Sequence, residues 1–132
     1  VGDSTILDSV DRYLMVLAGA AVGGLARYAL GAAIMQRYGG RFPLGTVVVN
    51  LSGCFLIGLA MTLLTERWQL HPNWRLLIVV GGLGGYTTFS SFEWETYQAI
   101  REGSYWSGLL NVVASVAAGY AAVVCGTLVA RR

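Results

Sequence analysis

Four long apolar stretches limit what this chain can fold into. They cover residues 13–34, 44–64, 74–100 and 106–129, and the segments that join them are all shorter than ten residues. Each stretch is long enough for a helix that crosses the hydrocarbon core of a bilayer, which takes about 20 residues. Charged residues make up 12% of the 132, against about 25% in ordinary soluble domains. We therefore predict an all-α membrane protein with four transmembrane helices in one domain, residues 1–132.

The third stretch contains a glycine and hydroxyl segment that interrupts its apolar character. Residues 81–92 are Gly-Gly-Leu-Gly-Gly-Tyr-Thr-Thr-Phe-Ser-Ser-Phe. Each glycine destabilises a helix by about 1 kcal/mol relative to alanine. Irregular backbone at membrane depth persists only where protein covers it or where it lines a wet cavity. We predict that the third helix is broken at mid-span within the segment from Gly81 to Thr88, and that the freed carbonyls need hydrogen-bond donors or a monovalent cation.

Polar side chains also occur in the other three stretches. Asn50 is the only amide in the second, Asn111 and Ser115 lie four residues apart in the fourth, and Arg27 interrupts the first. Polar groups at these depths need partners, and they either line an ion pathway or hydrogen-bond neighbouring helices. The second role contributes about 0.6 kcal/mol per contact. Each residue taken alone favours the second role.

The nine basic residues are all arginine, and the eight other than Arg27 are divided between the two ends of the helices. Five lie at the end that carries both termini and three at the other, namely Arg12, Arg67, Arg75, Arg131 and Arg132 against Arg37, Arg41 and Arg101. The excess of basic residues in short loops sets orientation. A near balance allows insertion in both directions, which suggests an antiparallel dimer, whereas a small excess is also compatible with a single cytoplasmic face. The counts alone support both equally.

The segment 81–92, followed by Glu95, resembles the signature Gly-x-Thr-Thr-Phe-Ser-Thr-Phe-x-x-Glu of the small fluoride channels called Fluc or CrcB proteins. Further matches are Gly23, Arg27, Gly45, Thr46 and Asn50. The resemblance covers essentially the whole chain. It implies a passive, fluoride-selective channel that exports fluoride across the cytoplasmic membrane of a prokaryote, lowering fluoride toxicity. It also implies an antiparallel, dual-topology homodimer in membrane lipid, with no enzymatic activity and no nucleic-acid partner.

The resemblance implies a role for each matching residue. Phe89 and Phe92 would be the aromatic pair beside which fluoride passes, and Asn50 would donate an amide hydrogen to the ion. The rest of the fluoride pathway would consist of Thr88, Ser90, Ser91, Asn111 and Ser115, with Glu95 toward an aqueous mouth and Arg27 in the vestibule. The backbone carbonyls of Gly84 and Thr87, from two subunits, would hold a structural sodium ion on the dimer axis.

Three residues depart from the family pattern. Ser91 replaces the usual threonine, Tyr86 stands where an apolar residue is common, and Glu93 is an additional acid. Ser91 keeps the hydroxyl, so we expect conduction to survive. The remaining donors suit fluoride, because uncharged amides, hydroxyls and the positive edges of aromatic rings can replace its water yet release it again.

Two other classes of membrane protein compete with the channel. A small proton-coupled multidrug exporter would need an embedded carboxylate in the first stretch, and residues 13–34 contain no acidic residue. A non-transporting tetraspan packing protein would explain the glycines and aromatics, but not Asn50, the interrupted third stretch and the hydroxyls together. An enzyme is disfavoured, because the sequence shows no nucleophile and base pair and no cluster of metal ligands.

Overall fold

The computed structural model describes residues 2–132, with the backbone alone for residues 2–4, 6 and 7. Within this range the chain consists of helices and short connections, without a strand. The first helix is Gly2–Tyr38. The second helix is Leu44–Thr62, and a π-helical turn, Leu63–Arg67, extends it. The prediction of an all-α fold is confirmed.

The third helix is divided into two halves. Its N-terminal half covers residues 72–86 and consists of Pro72–Arg75, a π-helical stretch Leu76–Leu83, and Gly84–Tyr86. Its C-terminal half is Phe89–Arg101. The fourth helix comprises Tyr105–Val113, a π-helical turn Ala114–Ala118, and Gly119–Arg131.

Three helical segments in the described residues are individually long and apolar enough to cross a membrane: Asp8–Tyr38, Leu44–Arg67 and Tyr105–Arg131. The third helix reaches a spanning length only when its two halves are taken together. Each predicted stretch thus corresponds to one helix. The first helix extends beyond the predicted span of residues 13–34 at both ends, because it runs from Gly2 to Tyr38. Apolar character detects the part of a helix that lies in lipid and not a polar extension.

The second helix occupies the centre of the bundle. In an apolar stretch of 18 consecutive residues of this helix, 33% of the residues are buried. The corresponding share is 11% in the first helix and 11% in the fourth. It packs against the fourth helix at Gly58 and Gly126. A Cβ atom on Gly58 would lie 2.2 Å from the carbonyl oxygen of Val123. Such close backbone contact stabilises helix pairs in lipid, where burial from water contributes little.

The first helix packs in the same way against the N-terminal half of the third. A Cβ atom on Gly19 would lie 2.1 Å from the carbonyl oxygen of Leu77, and one on Gly23 would lie 2.0 Å from that of Gly82. The mid-span glycines therefore allow close packing. The structure contains the predicted mid-span break and places it at Thr87 and Thr88, where the backbone is extended, whereas the backbone stays helical through the glycines to Tyr86.

Polar contacts join the second and fourth helices at the end that carries the C-terminus. The Arg131 guanidinium donates to both carboxylate oxygens of Glu66, at 3.0 and 2.9 Å, and Arg67 donates to the carbonyl oxygen of Ala130 at 3.1 Å. At the opposite end, Arg41 and Glu102 line one cavity. These placements agree with the predicted distribution of the arginines.

Candidate functional site

The third helix is interrupted at two threonines with extended backbone. Thr87 has φ −84° and ψ 159°, and Thr88 has φ −149° and ψ 116°. Thr88 begins the C-terminal half as its N-cap, because its Oγ1 accepts a hydrogen bond from the Ser91 backbone N–H at 3.2 Å. The same hydroxyl donates to Ser91 Oγ at 3.0 Å. Two hydroxyls and a helix start are thus brought together at the interruption.

Asn50 of the second helix binds both backbone groups of Thr88. Its Oδ1 accepts from the Thr88 N–H at 2.8 Å, and its Nδ2 donates to the Thr88 carbonyl oxygen at 3.0 Å. This pairing fixes the orientation of the amide, because only Oδ1 can accept from an N–H. One of the two Nδ2 hydrogens stays available to another acceptor. The predicted donation to fluoride would therefore use that second hydrogen.

The interruption changes the hydrogen bonding of two carbonyls. In a continuous α-helix the Gly84 carbonyl would accept from the Thr88 N–H, and the Thr87 carbonyl from the Ser91 N–H. Here the Thr88 N–H donates to Asn50, and the Ser91 N–H donates to the Thr88 hydroxyl. Gly84 and Thr87, the two residues predicted to bind the cation, are thus among the residues at this helix end whose carbonyls lose their helical donors.

The two phenylalanines of the site differ in exposure. Their ring centroids lie 5.5 Å apart with an interplanar angle of 49°. Phe92 is 5% exposed and Phe89 is 73% exposed. Both line a groove of about 390 Å³, which we call the Phe groove. Five other residues predicted for the site also line it: Asn50, Gly84, Thr87, Thr88 and Ser115.

Two further cavities lie between the Phe groove and one end of the helices. The Arg27 cavity, of about 380 Å³, is lined by Arg27, Thr46, Thr88 and Ser91 among others. The Glu95 mouth, of about 200 Å³, includes Arg41, Thr46, Glu95, Gln98 and Glu102. Thr88 borders both the groove and the Arg27 cavity, and Thr46 borders both the Arg27 cavity and the mouth. The three cavities therefore form a series.

Glu95 is positioned by the second helix. The Thr46 hydroxyl donates to Glu95 Oε1 at 2.6 Å, whereas Oε2 is buried with no hydrogen-bond partner among the described residues. Sequence reasoning gave Thr46 only as a family match. A hydroxyl in an otherwise apolar helix was the signal that could have identified it as a partner of an embedded carboxylate.

Two predicted pathway residues lie outside these cavities. Asn111 is 1% exposed and donates to Thr96 Oγ1 at 2.9 Å and to the Phe92 carbonyl oxygen at 3.5 Å, so it joins the fourth helix to the third. Ser90 is exposed and lines none of the three cavities. Their predicted place on the fluoride pathway stays a prediction.

The fold and the site together define a class of protein: a four-helix membrane protein whose third helix is interrupted beside a series of cavities lined by polar groups. Residues 14–127 match the family described as CrcB-like protein, Camphor Resistance (CrcB). The chain belongs to this family, and the predicted resemblance is confirmed.

Several bacterial relatives match most of the chain. A protein of Solibacter usitatus is 68% identical over 121 residues, which cover 92% of this chain and 99% of the relative. A protein of Acidobacterium capsulatum is 48% identical, with 92% and 97% covered, and one of a Roseiflexus species is 45% identical, with 89% and 95% covered. All three are named fluoride-specific ion channel FluC.

Proposed function

We propose that this protein is a fluoride-selective passive ion channel of a bacterial cytoplasmic membrane, through which fluoride leaves the cell. The observation that carries the proposal is that the Phe groove and the Arg27 cavity share Thr88 as a lining residue, where uncharged donors and two phenylalanine rings lie together. The relatives share the name fluoride-specific ion channel, which supports fluoride as the transported ion. Neither a multidrug exporter nor a packing protein accounts for this combination.

The residues of the site suggest how the ion moves. The second Nδ2 hydrogen of Asn50 and the hydroxyls of Thr88 and Ser91 replace water around fluoride at the interruption. The positive edges of Phe89 and Phe92 approach the anion without holding it as strongly as a cation would. Arg27 lies in the adjoining cavity, so its positive charge attracts anions to the pathway without occupying the groove.

A liposome efflux experiment tests the proposed function. We expect purified protein to release trapped fluoride down its gradient with no proton gradient and no nucleotide, and to release chloride much more slowly. Ion-selective electrodes outside the vesicles measure both rates, and empty vesicles are the control. Fluoride release that required a proton gradient would indicate an exchanger, and equal rates for chloride would refute selectivity.

We further propose that the carbonyls of Gly84 and Thr87 form a cation seat for sodium. Both residues line the Phe groove, and their carbonyls lose their helical donors at the interruption. Unwound carbonyls coordinate monovalent cations in other membrane proteins. The groove lacks a carboxylate among its lining residues, and calcium favours carboxylate oxygens, so the seat suits sodium better. A bound sodium ion would supply positive charge near the passing anion.

Two carbonyls from one chain leave a sodium ion undercoordinated, which supports a second copy of the chain as the source of the remaining oxygens. Gly84 and Phe89 are exposed on the single chain, as a residue that meets a second copy would be. With arginines at both ends of the helices, two copies can insert in opposite directions. The proposed assembly is therefore an antiparallel homodimer with the cation seat between its subunits.

Labelling from the two sides of the membrane tests this arrangement. We expect Arg132→Cys, in a background where Cys54 and Cys125 are replaced by serine, to react with an impermeant thiol reagent from outside in about half of the molecules. The remainder should react only after the membrane is permeabilised. A matched variant at the other end, Glu102→Cys, should give the same division. Complete labelling from one side at either position would refute dual topology.

A further inference from the structure

One turn of the second helix contacts three consecutive residues of the third helix at the interruption. Asn50 binds the backbone of Thr88. Gly53 packs against Thr87, since a Cβ atom at this glycine would lie 2.2 Å from Thr87 Cγ2. Ser52 Oγ lies 2.8 Å from the Tyr86 hydroxyl. The third contact is not part of the proposed fluoride pathway, because neither Ser52 nor Tyr86 lines the Phe groove.

The direction of the Ser52 contact follows from the number of available hydrogens. Ser52 Oγ donates to the carbonyl oxygen of Val49 at 3.0 Å, and a serine hydroxyl has a single hydrogen. Ser52 Oγ therefore accepts its second hydrogen bond from the Tyr86 hydroxyl. Two hydrogen bonds therefore connect the Tyr86 hydroxyl through Ser52 Oγ to the backbone of the second helix, so the tyrosine is attached to the central helix of the bundle.

Tyr86 lies between the two carbonyls of the cation seat in the chain. The residues before it, Gly84 and Gly85, have more backbone freedom than any other residue type. Asn50 fixes the backbone only on the far side of Thr87, at Thr88. On the near side, the Thr87 N–H and Oγ1 both donate to the Leu83 carbonyl oxygen at 3.0 Å, and the Tyr86 hydroxyl adds a contact that attaches this turn to the second helix.

We propose that the Ser52 and Tyr86 hydroxyl pair is a positioning contact that fixes the spacing of the Gly84 and Thr87 carbonyls and thereby sets the affinity of the cation seat for sodium. The inference rests on the proposed cation seat and not on the identity of the transported anion. The phenol ring alone cannot serve, because the attachment to Ser52 depends on the hydroxyl hydrogen.

Sodium-dependent thermal stability tests the positioning contact without measuring transport. The melting temperature of the purified full-length protein in detergent is followed as sodium chloride replaces N-methylglucamine chloride at constant ionic strength. In Tyr86→Phe and in Ser52→Ala we expect the sodium concentration that gives half of the rise to increase about tenfold, or about 1.4 kcal/mol. The double variant should show no further increase, because both substitutions remove the same contact. Tyr120→Phe, at an exposed tyrosine of the fourth helix, should match the wild type.

Three results would overturn the inference. The first is a Tyr86→Phe variant with a lower melting temperature but an unchanged sodium concentration at half of the rise. The second is a double variant in which the two shifts of this concentration add. The third is a wild type whose melting temperature does not respond to sodium. Failure of the proposed function would appear elsewhere, as an absence of fluoride efflux from wild-type liposomes at saturating sodium. The two failures are therefore measured by separate experiments.

Discussion

Replacing Asn50 by aspartate is expected to lower fluoride efflux at least a hundredfold at neutral pH. The carboxylate cannot donate to the Thr88 carbonyl oxygen, 3.0 Å from Nδ2 in the wild type, and it adds negative charge where the anion passes. Two unit charges about 4 Å apart repel by about 4 kcal/mol at an effective dielectric constant of about 20. This exceeds the roughly 2.8 kcal/mol that a hundredfold change in rate requires. Efflux from liposomes measures the loss.

Asn73→Asp is the matched control for this substitution. It makes the same chemical change in the first turn of the third helix, away from the three cavities of the proposed pathway. Its efflux should equal that of the wild type. If Asn50→Asp conducted fluoride as fast as Asn73→Asp, the pathway would not pass Asn50, even if the protein were a fluoride channel.

Phe92→Ile is expected to reduce fluoride efflux at least tenfold, equivalent to about 1.4 kcal/mol on the barrier. Phe92 is buried and lines the Phe groove, and isoleucine keeps an apolar side chain there while removing the positive ring edge. An exchange of this kind in a packed interior costs less than about 1.5 kcal/mol of stability. Phe89→Ile should lower efflux to a similar degree, although Phe89 is largely exposed on the single chain.

A packing role and a pathway role for these rings give different results. Phe55→Ile, in the second helix and outside the Phe groove, removes a ring of the same size and should leave efflux unchanged. Size-exclusion profiles and melting temperatures of the three variants show whether each is folded. Wild-type efflux in both folded Phe89→Ile and Phe92→Ile would assign the rings to packing alone.

The number and type of the helices could be predicted from the sequence, because a bilayer imposes a length and an apolar composition on each span. The part of the first helix before residue 13 could not be predicted in this way, because its polar residues lack the apolar composition of a span. The family signature also placed Phe89, Phe92, Thr88 and Asn50 at a common site, and the structure brings them to one groove. Their roles in conduction stay predictions.

The sequence predicted a break within the segment from Gly81 to Thr88, but local propensity did not define which of these residues would leave the helix. Glycine propensity alone favours Gly81 to Gly85, whereas contacts with the first helix keep that segment helical and outweigh about 1 kcal/mol per glycine. The break lies at Thr87 and Thr88, where Asn50 takes both backbone groups of Thr88 from a helix distant in the chain. Partners such as Asn50 for Thr88 and Thr46 for Glu95 depend on the tertiary arrangement, which periodicity does not encode.

The attachment of the interruption to one turn of the second helix also has an evolutionary consequence. Because Asn50, Ser52 and Gly53 each contact a different residue of the third helix, neither segment can change freely while the other is retained. A homologous channel with phenylalanine at the position of Tyr86 would have no donor for a hydroxyl at the position of Ser52, so selection for serine there would be relaxed. Homologues with tyrosine should retain a small hydroxyl residue at that position. Divergence within the family would then proceed by paired substitutions across the two helices.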